Sequence, residues 1–427
     1  MKLRYYTFIA SLFVCLLAVA QTAQLDFSRT LRADYQFCGD TKHQEISLAR
    51  LNSLRGWAGR RHHLDSLALA GNGTLTMTDA RTGRTLYRTS FSTLFQEWLN
   101  TEEATHTRRA FENVFLLPMP LDSVRLTVRL VDFHNRVQAE MSHVVRPDDS
   151  LIRNLDARPV APHRYIHQSG SAAEKIDVAI VAEGYTTEEA GLFYQKAEEA
   201  VASIFNHEPF ASRKDCFNFV AVALPSHDSG VSIPQRATWK ETALGSHYNT
   251  FYSDRYLTTL NLQSLNDQLS GIPYEHIIIL ANSDYYGGGG IYNSYTLTTA
   301  NHRAFHPVVV HEFGHSFGGL ADEYAYDDQY EETYYADTEP WEQNLTTLCD
   351  FSQKWQDMLP AGTPIPTPPS ADGRSEKIGV YEGAGYQSKG VWRAFENCRM
   401  RTNEHPTFCA VCQRALNRLI DFYTKEN

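Results

Sequence analysis

Apolar residues change their spacing midway along this 427-residue chain, and that change limits the folds open to it. Between residues 24 and 150 they alternate with polar ones. Val124, Leu126, Val128 and Leu130 are interleaved with Arg125, Thr127 and Arg129, the period of a strand with one buried face. The segment from Arg136 to Val145 follows after a short turn, and Ser66 to Thr78 reads as a hairpin turning at Gly71-Asn72-Gly73. Half-buried strands need a second sheet to pack on, so residues 24–150 are expected to form an all-β, sandwich-like domain. Residues 151–175 are polar, carry Pro159 and Pro162, and read as a linker. Beyond Ile176 the apolar runs become continuous, at Ile176 to Ala182, Phe217 to Leu224 and Ile277 to Ala281. Such runs suit strands buried on both faces. Between the first two, Thr186 to Phe205 has helical spacing behind Thr186-Thr187-Glu188-Glu189, an N-terminal helix signature. Strands alternating with helices make residues 176–427 an α/β (α+β) domain. Residues 359–380, rich in Pro and Gly, read as a long surface loop.

Residues 1–23 read as a secretory signal peptide. Lys2 and Arg4 precede an apolar run from Thr7 to Ala20 that is short for a bilayer span, and small residues around Ala20 and Ala23 offer cleavage sites. Cys15 lies within the apolar run and does not fit lipoprotein processing. Cleavage would take the formal charge from −11 to −13 by removing Lys2 and Arg4. An acidic chain with no basic block argues against nucleic acid or an anionic membrane surface as partner. The expected location is across the inner membrane, in the periplasm, at the cell surface or outside the cell, with no stable membrane insertion after cleavage. Six cysteines would remain, an even number that permits disulfides in an oxidising compartment. Cys409 and Cys412 form a C-x-x-C. No second C-x-x-C accompanies it, so a zinc ribbon is not expected and a structural disulfide is.

One segment carries chemistry. His311-Glu312-Phe313-Gly314-His315 follows Val308-Val309-Val310. On a helix the two histidines share a face, about 5–6 Å apart at Cβ, and can grip one Zn²⁺ at about 2.0–2.1 Å each. Glu312 then stands beside the metal, where it can take a proton from the zinc-bound water and pass it to the leaving amine. Gly318-Gly319 ends the helix, and the chain can turn back to bring Asp322-Glu323-Tyr324 to the metal. A catalytic zinc keeps three protein ligands and an open position. Asp322 is the choice for the third ligand, because Gly319-x-x-Asp322 reproduces the glycine-to-ligand step of the metzincin pattern. Counted from His311 it falls one position late, which leaves Glu323 as a competitor and Glu339 as a weaker one. Met400, in Asn397-Cys398-Arg399-Met400-Arg401, resembles the methionine turn that lies under metzincin zinc ligands.

The run from His311 to Tyr324 closely resembles the motif of the IgA peptidase family of zinc metalloendopeptidases. So do Glu183-Gly184-Tyr185-Thr186, the block from Tyr286 to Asn293, and Cys398-Arg399-Met400 with Phe408-Cys409-x-x-Cys412. The resemblance spans about residues 170–420. It implies a metzincin-like catalytic domain behind a β-rich domain, one catalytic zinc and endopeptidase activity on a protein or peptide. It does not imply that immunoglobulin A is the substrate.

Gly287 to Gly290 with Tyr292 to Thr299 could form the sheet edge that pairs with an extended peptide, glycine permitting close approach. No Gly-Lys-Ser/Thr follows, so it is not a phosphate loop. Tyr292, Tyr295 and Tyr324 are candidates for stabilising the oxyanion. Ser226-His227-Asp228-Ser229 reads as a polar loop, since adjacent residues cannot form a triad. His62-His63, Asp327-Asp328 and Glu331-Glu332 read as solvated surface, the acidic pairs being candidate Ca²⁺ ligands in an extracellular enzyme. Two other functions remain open: an inactive surface binding module with a structural zinc, against which Glu312 argues, and a zinc amidase acting on cell-wall peptides.

Overall fold

The computed structural model describes residues 24–326 and 333–425. The signal-peptide segment and the acidic pairs Asp327-Asp328 and Glu331-Glu332 lie outside the described residues. No helix among the described residues is long and apolar enough to cross a membrane.

The alternating half of the chain forms two four-stranded sheets. Its strands are β1 (Leu25–Gly39), β2 (Gln44–Arg55), β3 (Gly73–Asp79), β4 (Thr85–Phe91), β5 (Arg109–Pro120), β6 (Val124–Val131), β7 (Val137–Val145) and the short β8 (Arg153–Asn154). A one-turn helix, α1 (Leu94–Trp98), follows β4. One sheet has the order β5-β1-β2-β8, the other β4-β3-β6-β7. In β6 Val124, Leu126, Val128 and Leu130 are buried, as their alternation requires. Aromatic rings fill the space between the sheets, with Phe91 and Phe115 4.6 Å apart at their centroids. Burial of one such side chain is worth about 1.5–3 kcal/mol.

The hairpin expected over Ser66 to Thr78 is not there. Residues 66–71 leave the sheet, and Leu69 packs beside Gly319 of the second domain. The hairpin is β3–β4, turning at residues 80–84. Asp79 accepts there from the N–H groups of Arg81 and Thr82, and Gly83 takes φ +73°. The segment read as linker is also ordered. It adds β8 to the first sandwich sheet and β9 (His163–Gln168) to the central sheet of the second domain.

That central sheet has six strands, β9 with β10 (Ile176–Glu183), β11 (Phe217–Val222), β12 (His276–Ala281), β13 (Gly288–Ile291) and β14 (Tyr295–Thr299). Their order is β13-β14-β12-β10-β11-β9. β10 pairs in parallel with β11 and β12, and β12 with β14; the two edge strands are antiparallel. Every residue of β10, β11 and β12 is buried, which explains why they are largely apolar. The sheet divides two cores. Ile176, Val178 and Ile180 face the helices α2 (Ala190–Phe205), α4 (Phe305–Ser316) and α5 (Ala410–Thr424). Ala179 and Val181 face the other way, into a core continuous with that of the sandwich. The Thr186–Glu189 capping box forms as read, through one turn of 3₁₀ helix ahead of α2.

Polar contacts fasten the two domains. Arg32, wholly buried in β1, reaches Asp267 of α3 (Leu262–Gln268) at 2.7 Å, and Asn293 Nδ2 donates to Ser90 O at 2.8 Å. A small third sheet beyond α4 is built from β15 (Ala325–Tyr326), β16 (Leu345–Thr346), β17 (Tyr381–Ala384) and β18 (Tyr386–Arg393).

Candidate metal centre

Helix α4 positions the His-Glu-x-x-His residues. Val309, Val310 and Phe313 anchor it to the sheet, leaving His311, Glu312 and His315 on the opposite face. Its neighbours come unusually close, and glycine makes that possible. A Cβ on Gly314 would lie 2.7 Å from Met400 Sδ, so the methionine packs on the helix backbone between the two histidines. A Cβ on Gly290 would lie 2.3 Å from Glu312 O, and one on Gly288 3.0 Å from Glu312 Oε1. Gly288 and Gly290 of β13 therefore permit close contact with α4. Gly289 faces the other side, where a Cβ would lie 2.7 Å from the Tyr256 ring. β13 is an edge strand, and its Gly288 end is bridged by Tyr256.

After α4 the chain reverses at Gly319, whose φ of +57° favours glycine. The reversal lets Leu320 O accept from His315 Nδ1 at 2.6 Å, while Arg399 O accepts from His311 Nδ1 at 3.0 Å. Both rings thus donate through Nδ1 and turn Nε2 inward. The two Nε2 atoms lie 3.0 Å apart. Asp322 Oδ1 stands 3.0 Å from His311 Nε2 and 3.3 Å from His315 Nε2. Apart from the two imidazoles, this oxygen is buried without a hydrogen-bond partner among the described residues. Three such atoms facing one another repel unless a proton or a metal cation lies between them. Ligand atoms about 2.0–2.1 Å from a tetrahedral ion stand roughly 3.3 Å apart, the spacing observed. The donor set therefore fits a divalent metal.

Electrostatics agree. Although burial opposes it, Asp322 lifts His315 to about 9, and the two imidazoles hold Asp322 well below the usual carboxylate range. The pocket favours positive charge whether it arrives as a proton or as a metal. Burial pushes Glu312 up, and the two imidazoles oppose that rise.

Adjacent residues Asp322 and Glu323 diverge. Asp322 joins the histidines, whereas Glu323 is fully buried among Cys398, Cys409 and Cys412. Glu339 bonds to Asp350 N and Thr347 Oγ1, away from the set. Of the three tyrosines, Tyr292 packs on Trp341 and Tyr295 bonds to Thr259, both in buried positions outside the set. Tyr324 alone stands beside it, within electrostatic reach of Asp322 and Glu312. Ser226 bonds to Gly184 N and Ser229 to Glu189, so no triad forms with His227.

Two neighbours escaped the sequence reading. Tyr386, 64 residues beyond Asp322, donates to Asp322 Oδ2. Glu97, from the sandwich, accepts from Tyr256 OH, and burial raises it to about 7. No local pattern marks either one, because each reaches the centre only through tertiary packing.

No curated protein sequence matches this chain. The family model described as IgA Peptidase M64 matches residues 165–376 and 369–420, and the model described as Peptidase M64 N-terminus matches residues 23–142. With its peptidase part matched over more than half its length, this chain belongs to the IgA peptidase M64 family of metallopeptidases.

Proposed function

We propose that this protein is a secreted zinc endopeptidase with a metzincin-like catalytic domain, holding its metal through His311, His315 and Asp322. The observation that carries this reading is the convergence of two Nε2 atoms and Asp322 Oδ1 within 3.0–3.3 Å of one another. Zinc in that set would polarise the scissile carbonyl and acidify the attacking water.

The protein's own groups supply the rest. Glu312 neighbours both ligands on the same helix face, and burial raises its proton affinity. That suits a group that must take a proton from water and hold it for the leaving amine. Leu320 O and Arg399 O keep the imidazoles in the tautomer that binds metal. Tyr386 orients Asp322 through its second oxygen, and Met400 supplies an apolar floor. Tyr324 is the remaining candidate for the oxyanion. Secretion rests on the signal-peptide pattern of residues 1–23, and Ca²⁺ binding by the acidic pairs stays a proposal on composition alone.

The test is to incubate the mature protein with unfolded casein and a peptide library, with and without a zinc chelator, and to map the cuts by mass spectrometry. Internal cuts that disappear with chelator are expected. Intact casein with zinc bound would overturn the endopeptidase, and cutting of muropeptides alone would replace it with a cell-wall amidase.

A further inference from the structure

The C-x-x-C motif ends in a cluster that the peptidase chemistry does not use. Cys409 and Cys412 open α5, Cys398 precedes the Met400 turn, and Glu323 follows Asp322. All four are buried, at 5% exposure or less, and their donor atoms lie within 4.8 Å of one another. We propose that Cys398, Cys409, Cys412 and Glu323 form a second, closed zinc site that braces the catalytic one.

Three observations support it. The first is spacing. Thiolates about 2.3 Å from a tetrahedral zinc stand roughly 3.8 Å apart, and Cys398 Sγ and Cys412 Sγ are separated by 3.8 Å. Glu323 Oε1 is 3.1 Å from Cys412 Sγ. The second is an orphan. Asn344 Nδ2 holds Glu323 Oε1 at 3.0 Å, while Oε2 is buried with no hydrogen-bond partner. Such a group is costly to bury unless a cation or donor meets it.

The third is parity. A disulfide between two of these cysteines would leave one thiol and the carboxylate still facing each other in the core. A zinc ion satisfies all four donors at once. The six cysteines of the described residues are all unpaired in this structure. The third and fourth ligands come from Cys398 and Glu323 and not from a second C-x-x-C, which is why the motif looked incomplete.

The first turn of α5 presents its positive end to Cys409 and Cys412, and Cys409 N donates to Cys398 Sγ at 3.2 Å. Three thiolates favour zinc over the hard cations. With no side chain open to solvent the site has no free position for substrate, as in structural zinc sites. Its position gives it a purpose. Glu323 N donates to Met400 O at 2.8 Å, so one ion would tie the third catalytic ligand to the turn whose Arg399 carbonyl orients His311.

The test uses the full chain with the first site removed, so its result does not depend on whether the protein cuts peptides. Zinc is counted by elemental analysis in the wild type and in the H311A/H315A double variant, each purified under reducing conditions. Two zinc per wild-type chain and one per double variant are expected. Cobalt substituted into the double variant should show thiolate-to-metal charge-transfer absorption, lost in H311A/H315A/C412S. Should the cysteine variant fail to fold, the cobalt spectrum of the double variant decides alone. A double variant with no metal and three titratable thiols would overturn the proposal. So would a disulfide among Cys398, Cys409 and Cys412 recovered by peptide mapping of protein purified without reductant, or iron in place of zinc.

Discussion

Asp322 and Glu323 are adjacent in the chain and serve two donor clusters of opposite character. Asp322 faces His311 and His315, whose side chains keep 13% and 15% of their surface exposed, with Glu312 beside them. Glu323 faces three cysteines sealed in the core. An open set with a base beside it can admit water and substrate, whereas a closed set of soft ligands can only hold its metal. On the proposed reading, chemistry is confined to one side of a single peptide bond, and bracing to the other.

The strongest way to break this contrast is His315→Ala. It removes a ligand from the open set, and loss of both its metal and all measurable peptide cleavage is expected, by elemental analysis and casein digestion. The cobalt–thiolate absorption of the closed set should persist. A variant that lost both metals would show that the clusters are not separable.

Gly290→Ala acts on the open side through packing alone. Its Cβ would collide with Glu312 O and approach His315 Cβ at 2.8 Å, so α4 must shift. A displacement near 1 Å costs about 10²-fold in rate, and kcat/KM on a peptide should fall by about that much with the thiolate site unaltered. Tyr386→Phe removes the donor to Asp322 Oδ2. Loss of such an outer hydrogen bond weakens metal binding by about 10–100-fold, measurable by competition with a graded chelator.

These residues show how far a sequence reaches. The His-Glu-x-x-His spacing is local, so helical geometry alone aligns its donors, and the glycine turn brings Asp322 back within a few residues. The buried strands were legible because burial on both faces leaves a continuous apolar run. β9 was not, since it lies at the sheet edge with most of its residues exposed and carries no such run. The hairpin falls elsewhere because Gly71-Asn72-Gly73 looks like a turn, whereas Leu69 bonds to Ser90 Oγ and packs beside Gly319 of the second domain. Tyr386, Glu97 and the pairing of Glu323 with three cysteines depend on contacts between distant segments, which no periodicity encodes.

Glu323→Gln sharpens the comparison from the closed side. It should lower the unfolding midpoint by several degrees, since about 1 kcal/mol shifts a domain of this size by roughly 2–4 °C. Peptide cleavage should remain measurable. Loss of cleavage with stability unchanged would make Glu323 a member of the reacting centre.

Acidity gives the mildest perturbation. The metal-free open set binds a proton at His315 with a value of about 9, so below that pH a metal must displace it. Apparent affinity should therefore fall as pH falls, by roughly tenfold per unit for one proton released. A titration by calorimetry between neutral and alkaline pH would follow it. Affinity independent of pH would mean that no proton is displaced.

The most direct test of the proposed chemistry is Glu312→Gln, with bound metal and casein cleavage measured on the same preparation. Removing a general acid–base group costs about 10²–10⁴-fold in rate. The proposed mechanism predicts a full metal complement with cleavage reduced by that factor. A metal-loaded variant that still cuts casein at the wild-type rate would contradict it.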